Sequence, residues 1–287
     1  MKILTKASLS PEPTQRELDN LKVAYSAACE GMVLLKNDGA LPFKDKRVAL
    51  YGPGASMTIK GGTGSGEVNE RHSVTILEGM ENRKFDILTM DWIRGYEEMY
   101  AAEKEAYTIE RRKRFSIFKL GELMNQLLEN FRAPSGPAIT EKADTENCLY
   151  VLSRQAGEGG DRRAEKGDYF LTDEEEAAIR FCAANYENFV LVINCGSGMD
   201  MTFADEIPGI NAILYIAQLG TEGGNAFALS DLVIDGNGQR GLTLMGNTLH
   251  TGRVRITNAD ITNNGSATTD FGGGIYVPDD LDVIELK

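Results

Sequence analysis

The first place in this sequence where acid–base chemistry could be done is a carboxylate set among glycines. An apolar run, Cys148–Ser153, is followed by Arg154-Gln155-Ala156-Gly157-Glu158-Gly159-Gly160-Asp161-Arg162-Arg163, then by Gly167-Asp168-Tyr169. Flanking glycines reach backbone conformations closed to other residues, so the chain can present the Glu158 carboxylate freely. Such a carboxyl could donate a proton to a leaving group if burial raised its pKa. An exposed, solvated loop is the competing reading of the same composition.

Other candidate chemistries fall away on spacing. Gly52-Pro53-Gly54 after a strand resembles the start of a dinucleotide fingerprint, but Met57 stands where the third glycine is needed. Neither glycine cluster, 52–54 or 61–66, contains the phosphate-binding GxxxxGK[ST] pattern. Thr63-Gly64-Ser65-Gly66-Glu67 lacks the first glycine of a nucleophile elbow, and His72 and His250 are the only histidines to serve a serine. The 61–66 segment reads better as a substrate-side loop or a turn, and His72 as a surface or hydrogen-bonded residue. The four cysteines (29, 148, 182, 195) form no CxxC pair, so a zinc site would have to come from distant segments. Free buried thiols in a reducing compartment are the simpler expectation, and the sequence calls for no metal and no cofactor. Thr221 and Glu222 suit a helix N-terminus, and Arg111–Arg114 suits a solvated helix face.

The elements that must position these residues alternate. Thr14 with Glu17 forms a capping-box pattern, and Leu18, Leu21, Ala24, Ala28 and Met32 recur at helical spacing, predicting a helix from about Thr14 to Gly31. Val33–Lys36 follows, closed by the turn signal Asn37-Asp38-Gly39; Lys46–Tyr51 and Asp86–Thr89 read as strands, with a helical run near Thr75–Glu81 between them. Strong helix formers from about 96 to 132 predict one or two amphipathic helices, closed by Pro134-Ser135-Gly136-Pro137. Cys148–Ser153, Phe189–Asn194 and Ala212–Ala217 are further strands, and Thr172 starts a helix running through Asn185. This order predicts a layered α/β/α sandwich with a mostly parallel sheet over residues 1–228. After Ala228 the composition changes: residues 229–287 hold nine glycines and short strand-like pieces at 232–234, 242–244, 254–256 and 274–277. Asn258, Asn263 and Asn264 fall between them, giving the look of a short parallel β-helix segment. Two or three such coils cannot bury a core alone, so the tail is expected to dock, extend a sheet or be poorly ordered.

Composition excludes some partners. Of 287 residues, 43 are acidic and 30 basic, a formal charge of −13 that opposes general binding to nucleic acid or anionic membranes. The N-terminal residues have no apolar core of a signal peptide, and no stretch approaches the roughly 18 apolar residues of a membrane span. A cytoplasmic location is the expectation.

An ordered series of segments resembles glycoside hydrolase family 3, the β-glucosidase and β-xylosidase group. It runs through Glu30–Pro42, Val48–Ala55, Gly61–Gly66 with Val68-Asn69, Gly157–Arg162, Gly167–Tyr169, Asn194 with the following turn, and Gln218–Asn225. The resemblance covers roughly residues 1–228 and implies the family's α/β-sandwich domain, which lies against a catalytic (β/α)8 barrel. It places Glu158 on the general acid/base carboxyl, and Asp161 and Arg162 on the motif shaping that loop and contributing to substrate binding. Retaining glycosidases pair such an acid with a nucleophilic carboxylate roughly 5 Å away. In this family that nucleophile is a barrel aspartate in a Ser-Asp-Trp-like motif, whereas Trp92, the only tryptophan, follows Met90-Asp91 outside any barrel-like pattern.

With the sandwich-like sequence starting near Met1, the resemblance implies the subgroup of reversed domain order, in which the barrel follows. A barrel needs roughly 250 residues, more than this chain leaves. The expectation is therefore an incomplete β-glucosidase-like domain, acting on a β-glucoside or β-linked oligosaccharide with a barrel supplied in trans, or self-associating. A non-catalytic carbohydrate-binding module and an inactive remnant are the alternatives.

Overall fold

The computed structural model describes residues 12–63, 67, 70–114, 131–156 and 162–227, and the backbone of six short strands between 232 and 286. Helix α1 (Gln15–Gly31) begins at a full capping box: the Thr14 hydroxyl accepts from the Glu17 amide, and the Glu17 carboxylate accepts from the Thr14 amide at 2.6 Å. Strands β1 (Val33–Asn37) and β2 (Arg47–Tyr51) follow, then α2 (Ile76–Asn82), β3 (Asp86–Ile87), α3 (Met90–Arg114) and β4 (Asn147–Arg154). Helix α4 (Asp173–Asn185) repeats the capping box with Thr172 and Glu175. Then come β5 (Asn188–Cys195), the single turn α5 (Phe203–Glu206), β6 (Ala212–Tyr215) and the single turn α6 (Gly223–Ala226).

These strands form one sheet in the order β1-β6-β5-β4-β2-β3. Every neighbouring pair is parallel except β1 with β6, which runs antiparallel with an irregularity between Leu34 and Lys36. The central strands alternate between two buried layers, as the two-residue period of a strand requires. Leu50, Leu149, Val151, Val190, Val192 and Leu214 face one layer, where Ile76 and Met80 of α2 join them. Tyr51, Cys148, Tyr150, Leu191 and Ile193 face the other, against Ile179 and Cys182 of α4. Burial on both faces is why these strands read as continuous apolar runs. Glycine is required where α2 meets α6: a Cβ on Gly79 would lie 1.7 Å from the Gly224 carbonyl oxygen, and one on Gly224 would lie 2.0 Å from that of Thr75.

Two expectations need correction. The helix expected from about 96 starts at Met90, six residues earlier, because its first turns carry Trp92 and Ile93 into the core. Trp92 stacks on Tyr96 at 5.8 Å, meets Tyr51 edge-on at 5.5 Å, and donates its indole N–H to the Pro137 carbonyl at 2.9 Å. That helix continues to Arg114, and residues 115–130 lie outside the described residues. Of the four free cysteines, three are buried, but Cys29 is exposed on the outer face of α1. The basic run Arg111–Arg114 forms the last turn of α3, where positive charge complements the helix dipole. No helix among the described residues is long and apolar enough to cross a membrane.

Six further strands lie in the C-terminal region: β7 (Leu232–Asp235), β8 (Leu242–Thr243), β9 (Val254–Ile256), β10 (Ala259–Thr262), β11 (Ile275–Tyr276) and β12 (Ile284–Leu286). Among the described residues β7 pairs with β10, β8 with β11 and β9 with β12, all parallel. Asn258, Asn263 and Asn264 lie outside the described residues.

Candidate active-site rim

Ligands of open α/β sheets bind beyond the carboxyl ends of the strands, at the point where strand order reverses. Here that point lies between β2 and β4, since β3 sits on one side of β2 and β4 on the other. Four loops meet at this end of the sheet, after β2, β4, β5 and β6. Asn194, fully buried at the end of β5, ties three of them together. Its side-chain oxygen accepts from the Ile59 amide at 2.7 Å, and its amide nitrogen donates to the carbonyls of Ile59 at 2.9 Å and Ala217 at 2.7 Å. Ala217 has a φ of +47°, a conformation unfavourable for alanine, and its carbonyl is held by this bond. The β4 loop is tied to the β2 loop by Gln155, which donates to the Gly61 carbonyl at 2.9 Å, and by Thr63, whose amide donates to the Ala156 carbonyl at 3.2 Å.

The glutamate-bearing segment has well-anchored stems. Glu158 and Asp161 themselves lie outside the described residues. On the near side, Arg154 ends β4 and is only 6% exposed. Its guanidinium donates to both Glu175 carboxylate oxygens, at 2.6 and 2.5 Å, and to the carbonyls of Ser153, Asp168 and Phe170. Burial opposes the arginine charge, but the Glu175 carboxylate outweighs it and holds the guanidinium above its ordinary pKa. Glu175 also accepts from the Thr172 amide at 2.9 Å, so one carboxylate caps α4 and neutralises the end of β4.

On the far side stands Arg162. It donates to Asp168 at 2.8 Å, to the Ser197 hydroxyl at 2.6 Å and to the Cys195 sulfur at 3.4 Å. Asp168 is 9% exposed and also accepts from the Arg163 amide at 3.2 Å, with the Arg132 guanidinium 3.6 Å away. Burial pushes the Asp168 carboxyl upward, but Arg162, the Arg163 amide and Arg132 together hold it below its ordinary range. The two buried carboxylates, Asp168 and Glu175, are thus both committed to arginine. They are suited to holding loops in place.

In the sequence Asp168 and Asn194 belong to the resembling series and Glu175 to a helix cap, whereas the pairing of Glu175 with Arg154 and of Ser197 with Arg162 emerges only in the structure. A charged residue closing the buried run Cys148–Ser153 was the available signal, since a buried arginine requires a partner. His72 is exposed and paired with Glu78 at 2.8 Å.

Comparison with known proteins places this architecture. Residues 32–232 match the model of the glycosyl hydrolase family 3 C-terminal domain. The chain belongs to glycosyl hydrolase family 3. It is 30% identical to β-glucosidase A of Butyrivibrio fibrisolvens, an alignment covering 73% of this chain and 26% of that protein. It is also 30% identical to a β-glucosidase of Ruminococcus albus, over 72% of this chain and 21% of the relative. Among solved structures, β-glucosidase 3B of Thermotoga neapolitana in complex with glucose superimposes with a TM-score of 0.54 at 29% identity, covering 74% of this chain and 28% of that one. A β-glucosidase from Paenibacillus barengoltzii shares the fold, with a TM-score of 0.59 at 22% identity, over 77% and 23% of the two chains. The family 3 domain thus corresponds to about a quarter of the length of these relatives.

Proposed function

We propose that this family 3 domain supplies the acid/base loop for hydrolysis of a β-glucoside or β-linked oligosaccharide. In this reading Glu158 is the proton donor to the glycosidic oxygen, and Asp161 and Arg162 shape the loop that presents it. The observation that carries the reading is the anchoring of both stems of the 157–161 segment at the switch point of the sheet, by Arg154–Glu175 on one side and Arg162–Asp168 on the other. Residues 1–228 form the α/β unit of this assignment and 229–287 a separate β-rich segment. In this reading the nucleophilic carboxylate comes from a (β/α)8 barrel that acts together with this domain.

The test mixes the full chain with a separately produced barrel domain of a family 3 β-glucosidase and follows hydrolysis of aryl β-glucosides. Hydrolysis is expected only in the mixture. With a poor leaving group, Glu158→Gln should lower the rate by about 10²–10⁴-fold, the range of general acid catalysis. A 2,4-dinitrophenyl leaving group, which needs little protonation, should be affected far less in the glycosylation step. Equal rates for Glu158→Gln and the parent with both substrates would remove the acid/base role. Glucose binding that is saturable and indifferent to this substitution, without turnover, would instead identify a carbohydrate-binding module.

A further inference from the structure

Arg162 uses a different nitrogen for each of its three acceptors. Nη1 donates to Asp168 at 2.8 Å, Nε to the Ser197 hydroxyl at 2.6 Å and Nη2 to the Cys195 sulfur at 3.4 Å. A guanidinium is planar, so partners on all three nitrogens fix its plane as well as its position. The acceptors differ in what they anchor. Asp168 lies six residues after Arg162, in the same excursion from the sheet, and supplies the counter-charge. Cys195 is the last residue of β5 and Ser197 stands just beyond it, 33 and 35 residues from Arg162, so these two tie the guanidinium directly to the sheet.

The β5 turn is held where it meets the arginine. The Cys195 thiol donates to the Ser197 carbonyl at 2.8 Å, and the preceding residue is the fully buried Asn194, bonded to Ile59 and Ala217. Ser197 therefore presents its hydroxyl from a fixed backbone. It is also the stronger of the two acceptors from β5, because a thiol sulfur accepts only weakly. A hydrogen bond from a charged donor is roughly twice as strong as one between neutral groups.

We propose that Ser197 is a positioning residue for the acid/base step, its hydroxyl setting the plane of the Arg162 guanidinium and so placing the far stem of the segment that presents the proton donor. This inference rests on the acid/base reading above. Ser197 acts through Arg162 and not on the reacting atoms. Alanine at this position leaves the Arg162–Asp168 ion pair, and with it the charge balance, intact. What it removes is the oxygen that stops the guanidinium turning about that contact.

Two readouts test this, with thermal melts confirming that each variant is folded. The first needs no turnover: in the full chain carrying Cys29→Ser, labelling of Cys195 by a thiol reagent is followed and the label located by mass spectrometry. Release of the guanidinium uncovers the sulfur, so Ser197→Ala should raise the labelling rate about tenfold, the worth of one hydrogen bond to a charged group. Ser197→Thr, which keeps the hydroxyl, should label like the parent. The second readout is kcat/KM in the mixture with a barrel domain. Ser197→Ala should lower it about tenfold for a poor leaving group, as misplaced catalytic groups do, while a 2,4-dinitrophenyl glucoside stays near the parent value and Ser197→Thr restores the loss. A merely structural role would slow both substrates alike. Unchanged labelling in Ser197→Ala, or equal slowing of both substrates, would overturn the proposal. A parent mixture without turnover, or a silent Glu158→Gln, would remove the acid/base reading and the catalytic part of this inference with it, while the labelling still decides the anchor.

Discussion

Glu175→Gln removes the negative member of the buried Arg154–Glu175 pair while preserving size. The two side chains are 6% and 3% exposed, and the carboxylate satisfies two guanidinium N–H groups. A neutral amide offers one oxygen where two were used and turns an NH2 group toward either the guanidinium donors or the Thr172 amide. Arg154 cannot escape by losing its proton, since guanidinium stays charged in proteins, so its charge is left buried without a counter-ion. Breaking a buried pair in this way costs about 3–5 kcal/mol. For a domain of this size each kcal/mol lowers Tm by roughly 2–4 °C, so the melting point should fall by about 6–20 °C. Thermal melts and urea titrations followed by circular dichroism and Trp92 fluorescence measure this. Glu176→Gln, at the next residue and paired with Arg180 in solvent, is the control and should change stability by no more than about 1 kcal/mol. Arg154→Met combined with Glu175→Gln removes the orphaned charge, so the double variant should be more stable than Glu175→Gln alone. If Glu175→Gln melted with Glu176→Gln, the pair would not be the anchor of the β4 end, and the argument would fail.

Two further outcomes follow from the same geometry. Asp168 has a folded pKa below its unfolded value, so its stabilisation is fully present above the unfolded carboxylate range, near pH 4, and is lost as pH falls through the folded value. Asp168→Asn should therefore cost about 1–3 kcal/mol at pH 7, with the gap to the parent narrowing below about pH 4; a gap constant from pH 7 to 3 would contradict this. Thiol chemistry should divide the cysteines: burial and a contact with Cys182 raise the Cys148 thiol well above its usual pKa, and Cys182 and Cys195 are also buried, whereas Cys29 is exposed. Titration with an aromatic disulfide reagent should find one fast thiol in the native chain and all four after denaturation, with Cys29→Ser abolishing the fast phase. A fast phase that survives that substitution would place another thiol at the surface.

Much of the fold was legible because its signals are local. Thr14 with Glu17 and Thr172 with Glu175 are capping boxes contained within four residues, and both start helices where the spacing places them. The runs over β4 and β5 are apolar at nearly every position because the sheet is covered on both faces, so their strand character needed no partner to be visible. Composition and the place after a strand mark the glycine-rich segment as a candidate ligand-side loop, and its described stems, at Ala156 and Arg162, follow β4.

The remainder depended on which distant residues the fold brings together. Nothing in Val33–Asn37 says that β1 runs antiparallel to β6, because strand direction is set by the path of the chain and not by side-chain alternation. The start of α3 at Met90 was hidden because Trp92 and Ile93 favour helix only weakly and gain their place by burial. Arg154 and Glu175 are separated by 21 residues, and sequence identified one as a loop boundary and the other as a cap. Asn194 shows the same division: its type was noted, but its role depends on Ile59 and Ala217 arriving at one point. The sequence by itself determined the elements, the two-sided core and the family pattern, since those follow from local periodicity and composition. Only the tertiary structure decided which charges neutralise each other, because a buried ion pair exists through proximity across the chain.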